Sequence, residues 1–583
     1  LYPIKDILAP SPPISLPLLQ QFQHSAGGRL LLHLLKLTQI DALFKRNEAL
    51  HGLDFVSALL QQLGITYTLD AKELSNLPAS GSFIVVANHP YGALDGLLLL
   101  EILKQRRPDA KLMANDLLAS IPNLAPVFLP VNPFDAKAKK NISGMRQALE
   151  HVQAGSPLGI FPAGEVSTWQ METQKIVDRP WSPSIGKLLA KANVPVVPIH
   201  FSGHNSLAFQ LMSLVHPKLQ TARLPAELLN KKGHHVQIRI GRQIKTQELL
   251  AIPKSELLAF VRAKTYSLAV LPVSRKAEAI EEPAIAPETD PQAIWQEIQQ
   301  LPAHRKIVSH LQYDVFLARA AQIPQALREI GRLREITFRQ VGEGTRQPLD
   351  LDQYDHHYQH LFLYDREARQ IVGAYRVGRG KEIWKKQGKR GFYLHSLFKI
   401  KKELTPLLKQ SLELGRSFVR PEYQRKNLPL LLLWKGLSLY LEQRPECKYL
   451  IGPVSISSYF SNLSQSLIVR FIKDHYFDHS LACFVKPRKA FKAKLQLTDH
   501  VHLLSQTQEL QSLDILIKEI EPQHTGVPPL LKKYLMQNAR IIGFNIDPLF
   551  SDSLDGFMVM NVNDLPNATQ ELFDRVDGHK QTS

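Results

Sequence analysis

Short runs of aliphatic and β-branched residues alternate with helical stretches along most of this 583-residue chain, and that alternation limits the possible folds more than any other feature. In the first half the runs are Phe83–Ala87 (FIVVA), Leu158–Phe161 (LGIF), Val194–Ile199 (VPVVPI) and Val236–Ile240 (VQIRI). They are short and apolar, as strands covered on both faces are. Helical spacing appears between them, at Gly96–Leu103 and Gly144–His151, and Leu30–Phe44 carries a broad apolar helical face. The second half has apolar runs at Leu361–Tyr364, Ile371–Val377, Leu414–Val419, Tyr449–Val454, Ala539–Phe544 and Gly556–Asn561, with a long helix expected over Leu428–Leu441. The pattern predicts an α/β chain, with a mixed sheet in the second half.

Ser274–Gln292 (SRKAEAIEEPAIAPETDPQ) is rich in Pro, Ala and Glu and has no aromatic residue, so it reads as a linker. It divides the chain into domains at 1–273 and 293–583. Apolar residues at 44 % and charged residues at 21 % exclude a disordered, collagenous or coiled-coil chain. Two cysteines, Cys447 and Cys483, build neither a disulfide framework nor a cysteine zinc site, which points to a reducing cytosolic compartment. The longest uncharged stretches, Leu74–Leu94 and Leu117–Phe134, are interrupted by Pro and Gly and do not read as membrane spans. No signal-peptide pattern is read at the start. A net charge of +18 calls for an anionic partner: nucleic acid, an anionic bilayer surface or an acidic carrier protein.

The segment richest in chemistry is Asn88–Gly96 (NHPYGALDG), directly after the first apolar run. An imidazole at a strand end with a carboxylate six residues on suits general-base work. His89 takes a proton from a hydroxyl, and Asp95 holds the ring and stabilises the imidazolium. Gly92 lets the turn bring the two together. Two later segments join it, Phe161–Ser167 (FPAGEVS) at another strand end, and VPVVPI.

The order NH…D, FPxG, VPxxP resembles the lysophospholipid acyltransferases, the PlsC-like family, over roughly residues 30–245. The resemblance implies an acyl thioester donor and a lyso-lipid hydroxyl acceptor, with His89 as base and Asp95 as its partner. Phe161, Pro162 and Gly164 then shape the acceptor site, and Val194–Pro198 wall the acyl side. The sequence departs from the family in three ways: the His–Asp spacing is one residue longer, Ala163 stands where a glutamate is usual (Glu165 being the nearest substitute), and Val131–Asp135 holds no arginine. These absences fit a lyso-lipid with an amino-acid head group, while the basic run Lys137–Lys140 is available for phosphate contacts.

In the second half, acids and arginines recur at strand ends: Arg334 and Phe338, Asp352 and Asp355, Asp365, Arg376 within GAYR, and Glu413 and Arg416 within ELGR. Such a set can form a buried paired cluster that positions an amine and accepts its proton. As an ordered set it resembles the acyl-homoserine-lactone synthases and the ornithine N-acyltransferases, two GNAT-like families. The tail 526–561 is closer to the second, and the lack of a Trp between Phe338 and Asp352 separates the chain from the first. The resemblance implies a 3-hydroxyacyl donor on acyl carrier protein, with Arg334, Arg376, Glu413 and Arg416 at the site and Glu413 as proton acceptor. The basic segments Lys381–Lys402 and Arg420–Lys426 are expected to meet the acidic carrier; the first interleaves aromatics with lysines, a composition that also suits an anionic bilayer or single-stranded nucleic acid.

The HxxxH pairs His475/His479 and His356/His360 lack a third ligand, His200 and His204 read as structural, and no P-loop or dinucleotide fingerprint occurs, so no metal or cofactor is expected. Taken whole, the domain order resembles the bifunctional ornithine lipid synthases. That implies N-acylation of ornithine in the second domain and O-acylation of the lyso-ornithine lipid in the first, peripherally on the inner face of the cytoplasmic membrane. Joining the two raises the effective concentration of the intermediate. The expected partners are acyl carrier protein (or acyl-CoA), ornithine, lyso-ornithine lipid and the membrane surface, without nucleic acid. Glycine, glutamine or lysine in place of ornithine, a plain lysophospholipid acyltransferase, and a basic nucleic-acid-binding or membrane-lytic protein stay open as alternatives.

Overall fold

The structure is a computed structural model that describes residues 36–115, 121–131, 139–215, 217–270, 282–493, 502–504, 507–524 and 526–564. The chain forms two compact units, Leu1–Leu271 with Gln496–Gln506, and Pro272–Leu495 with Thr507–Ser583. Each has its own sheet.

The first sheet has seven strands: β1 (Thr66–Thr68), β2 (Ile84–Ala87), β3 (Lys111–Asn115), β4 (Phe128–Val131), β5 (Leu158–Ile160), β6 (Val196–Phe201) and β7 (His235–Ile240). Their order is β1-β7-β6-β2-β5-β3-β4. The strands β6-β2-β5-β3-β4 run parallel, while β7 is antiparallel to β6 and carries β1 with it. Alternation along β2 explains its all-apolar sequence. Val85 and Ala87 face one core with Leu98 and Ile102 of α1 (Ala93–Lys104), and Ile84 and Val86 face a second with Leu188 and Val261. Pro198 sits inside β6 without breaking it. Its carbonyl, and therefore its missing N–H, points toward β7, where the ladder has ended at Ile199–Ile240 and Gly241 N–H closes onto Pro198 O at 2.9 Å.

The second sheet has eight strands: β8 (Lys306–His310), β9 (Tyr313–Arg319), β10 (Gln359–Asp365), β11 (Gln370–Arg379), β12 (Ser411–Val419), β13 (Tyr449–Ile456), β14 (Arg540–Asp547) and β15 (Ser553–Asn561). Their order is β8-β9-β10-β11-β12-β13-β15-β14, antiparallel except for the β12/β13 pair. That parallel pair bonds only from Ser411–Glu413 to Tyr449–Ile451, so the strands part beyond Glu413. Part of the cause lies in β12. Ala374 pairs with Phe418 but Arg376 pairs with Gly415, which sets two residues of β12 against one of β11, and Arg416 takes a left-handed φ of 49°. The helices α2 (Pro324–Gln340) and α3 (Asn427–Glu442) belong to this unit.

The described part of the expected linker does not hang free. Pro283 O accepts from Arg339 Nη1 at 2.9 Å, Ala286 N–H donates to Pro348 O at 3.0 Å, and Thr289 N–H donates to Glu329 at 3.0 Å, so this stretch lies on the second unit. Residues 271–281 fall outside the described residues. Among the described residues no helix is long and apolar enough to cross a membrane.

Candidate active sites

In the first unit the parallel strands end on a common side, and the residues that follow them line one cavity of about 670 Å³: His89 after β2, Asn115 ending β3, Val131 ending β4, and Phe161 to Gly164 after β5. Leu97, Leu112, Phe128, Leu149, Ile185 and Leu188 make most of the wall apolar, and Arg146, Lys187 and Lys191 add cations to the lining.

His89 and Asp95 do meet. His89 Nδ1 lies 3.0 Å from Asp95 Oδ2, with Asp95 wholly buried behind the ring. The same Oδ2 accepts from the backbone N–H of Tyr91 at 2.8 Å and of Gly92 at 2.9 Å, at the first turn of α1, where the helix dipole favours an anion. Burial raises the Asp95 carboxyl above the ordinary range, against the pull of His89 and those two N–H groups. The buried charge therefore gains most when the imidazole becomes imidazolium. Phe161 stacks on the His89 ring at 4.3 Å and fixes its plane. Gly92 has φ +88°, and a Cβ there would stand 3.0 Å from Leu224 and 3.2 Å from Val166, so the turn depends on glycine.

Gly92, Phe161, Pro162 and Gly164 join His89 on the cavity wall. Glu165 is not among its lining residues and pairs with Arg179 at 3.2 Å. Val194–Pro198 do not wall the cavity either, because Val196 and Val197 are spent in the cores on the two faces of the sheet. The side chains of Lys137–Lys140, and most of Val131–Asp135, lie outside the described residues. Asp178 carries no motif and escapes the sequence reading, yet it organises the loop. It accepts from His89 N–H (3.1 Å), Ser167 Oγ (2.5 Å) and Trp181 Nε1 (2.9 Å), and Ser167 N–H returns to His89 O at 2.8 Å.

In the second unit the scattered arginines and aspartates become one buried network. Arg334 donates to Asp355 at 2.8 Å, Arg376 to Asp352 at 2.6 Å and Asp355 at 3.3 Å, and Arg416 to Asp350 at 3.1 Å. Burial alone would raise Asp355, but Arg334 and Arg376 override it and hold the carboxyl far below the usual range. Arg376 also lies over the rings of Tyr354, Tyr358 and Tyr393 at 5.1 to 5.6 Å. Phe338 is core: it meets Phe550 edge-on at 5.1 Å, and Phe550 in turn lies under the Arg416 guanidinium at 4.4 Å.

Glu413 is engaged on both oxygens, by Tyr358 OH, Tyr393 N–H (3.2 Å) and Leu394 N–H (2.7 Å), and burial raises it to about 7. The arrangement thus holds a near-neutral carboxyl where β12 and β13 separate. Three further carboxylates missed by sequence reasoning lie near Arg416. Tyr393 OH donates to Asp547 at 2.9 Å, and Ser455 Oγ donates to Asp555 at 2.7 Å. Burial raises Asp555 to about 7, helped by Asp547, and raises Glu343 to about 8, helped by Asp555. Sequence separations of about two hundred residues hide this grouping. The aromatics of Lys381–Lys402 are not a surface stripe: Phe392, Tyr393 and Phe398 are buried in the core, and Lys409 covers the Trp384 ring at 5.4 Å.

Comparison with known proteins agrees with this division. Residues 17–271 match the family model for Acyltransferase, and residues 333–434 match that for the Acetyltransferase (GNAT) domain. The chain is 28% identical over 265 residues to a glycine N(alpha)-acyltransferase of Phocaeicola vulgatus, covering 43% of this chain and 81% of that protein. It is 28% identical over 228 residues to a lyso-glycine lipid O-acyltransferase of the same organism, covering 37% of this chain and 78% of that one. It is also 28% identical over 265 residues to an L-ornithine N(alpha)-acyltransferase of Brucella abortus, covering 43% and 84%. The chain is therefore an acyltransferase, with an N-terminal acyltransferase domain followed by a GNAT domain.

Proposed function

We propose that the chain builds an aminolipid in two acyl transfers. In the second unit the α-amine of ornithine attacks the thioester carbonyl of a 3-hydroxyacyl chain held on acyl carrier protein. An N–C bond forms, the C–S bond breaks and the sulfur leaves as the thiolate. The proton lost by the amine passes to Glu413, whose carboxyl near 7 suits a base at neutral pH and is reached through the Tyr358 hydroxyl. In the first unit the 3-hydroxyl of the mono-acyl product attacks a second acyl thioester. His89 Nε2 takes the hydroxyl proton, Asp95 stabilises the imidazolium, and the imidazolium returns the proton to the leaving thiolate.

The observation that carries this reading is the His89–Asp95 contact of 3.0 Å at an apolar cavity large enough for an acyl chain. The likeness to both N- and O-acyltransferases supports two steps in one chain. Lipid substrates and a net charge of +18 favour work at the inner face of the cytoplasmic membrane. Purified protein supplied with ornithine, 3-hydroxyacyl carrier protein and a second acyl donor should form the mono-acyl lipid first and the diacyl lipid after it. Formation of neither lipid contradicts the reading. Glycine is the second reading, favoured by the relatives named for it, and product mass separates the two.

A further inference from the structure

We infer that Glu343, Ser553 and Asp555 form a binding site for the side-chain ammonium of a diamino acid, which makes the second unit selective for substrates with a second amine. This rests on the reading of that unit as an amino-acid N-acyltransferase.

The geometry starts from strand register. Ser455 of β13 and Asn545 of β14 both lie opposite Asp555 of β15, and Asp547 lies opposite Ser553. Side chains two apart on a strand share a face, so Ser553 and Asp555 point the same way, with Asp547 and Ser455 beside them. The loop after α2 is strapped over these strand ends. Ser457 Oγ donates to Val341 O at 2.5 Å, Ser458 Oγ to Gly342 O at 3.4 Å, and Ser551 Oγ to Gly344 O at 2.9 Å. That loop brings Glu343 to the same place, close enough for the Asp555 charge to act on it.

The group is short of positive charge and of donors. Arg334, Arg376 and Arg416 are spoken for by Asp350, Asp352 and Asp355. Asp555 is 2% exposed and receives one hydrogen bond, on Oδ1. Among the described residues, Asp555 Oδ2 and Glu343 have no hydrogen-bond or ion-pair partner. Ser553 is fully buried, and among the described residues its hydroxyl has no partner. A buried carboxylate without a cation, as Asp555 is, is costly, and natural proteins retain such groups where a ligand supplies the charge; half-buried Glu343 stands beside it. The three unmatched acceptors equal in number the three N–H donors of an ammonium, which accepts nothing. A metal is the other cation to weigh, but among the described residues no three such side chains converge as a metal site requires. Arg416 borders the group through its bond to Tyr393 OH at 3.2 Å and is paired with Asp350 at 3.0 Å.

The test compares ornithine with norvaline, which has the same carbon chain and no second amine, in N-acylation by the full-length protein. Wild type should prefer ornithine in kcat/KM by a factor on the order of 10² or more, since losing the ammonium leaves buried Asp555 and Ser553 without its donors. Asp555→Asn and Glu343→Gln should each cut that ratio at least tenfold, with the larger loss on ornithine. Equilibrium binding of the two amino acids without donor gives a second readout, where ornithine should bind more tightly and Asp555→Asn should erase the difference. Equal use and equal binding of the two amino acids by wild type overturns the inference while leaving N-acylation intact. A variant that loses both substrates in proportion overturns it as well. If no amino acid is acylated, the functional reading itself fails, and the binding measurement still decides this site.

Discussion

Replacing Asp95 by Asn isolates one charge behind His89. Oδ2 accepts from Tyr91 N–H and Gly92 N–H and faces His89 Nδ1, whereas Oδ1 is buried and has no partner among the described residues. An amide with its oxygen at the Oδ2 position keeps all three contacts and puts its NH2 where Oδ1 was. The turn survives, and the unmatched amide N–H costs about 1–3 kcal/mol of stability. What disappears is the attraction between carboxylate and imidazolium. With charge centres about 4 Å apart and an effective dielectric near 20, that attraction is about 4 kcal/mol. The amide dipole keeps part of it, so about 3–4 kcal/mol is lost from the step that protonates His89. At about 1.4 kcal/mol per tenfold, O-acylation should slow roughly 10²- to 10³-fold. The assay is conversion of purified mono-acyl lipid to diacyl lipid at saturating donor, with a melting curve as the folding control. A folded Asp95→Asn protein within about threefold of the wild-type rate refutes the reasoning.

Gly92→Ala should slow the same step and lower the melting temperature, since φ +88° is strained for alanine and the new Cβ meets Leu224 and Val166; an unchanged melt contradicts this. Arg376→Ala takes the 2.6 Å partner from Asp352 and leaves Asp355 with Arg334 alone, and should cost about 3–5 kcal/mol in urea unfolding. Stability should also depend on pH through the raised acids. Glu413 and Asp555 at about 7 and Glu343 at about 8 bind protons in the folded state that the unfolded chain has already released. Their contribution is present below the ordinary carboxylate range, is lost as pH rises through about 7 to 8, and is level beyond. Urea titrations from pH 5 to 8 should therefore show a shallower decline for Asp555→Asn than for wild type, and identical slopes contradict the assignment.

Much of this was legible because local chemistry matched the fold. The short apolar runs became β2, β5 and β6, the strand-end NHPYGALDG segment formed the His89–Asp95 pair, and the expected helix at Leu428–Leu441 is α3. Other parts were hidden for physical reasons. β4 carries Pro130, tolerated because β4 is a sheet edge, so its stretch reads as broken. Asp178 holds the His89 loop from a position that no motif marks. The aromatics among the lysines of Lys381–Lys402 look like a surface stripe until the fold turns them inward. Glu343 is brought to Asp555 by the loop after α2, and the opening of β12 from β13 goes with a bulge at Arg416 that no residue type announces.

The most direct test is a lipid extract, read by mass spectrometry, from a bacterial host that makes no aminolipid and expresses either this chain or its His89→Ala variant. The expected result is a new diacyl ornithine lipid with the wild type, replaced by the mono-acyl form with the variant. No new aminolipid from well-expressed wild type, or the same diacyl product from both, contradicts two acyl transfers with His89 as the base of the second.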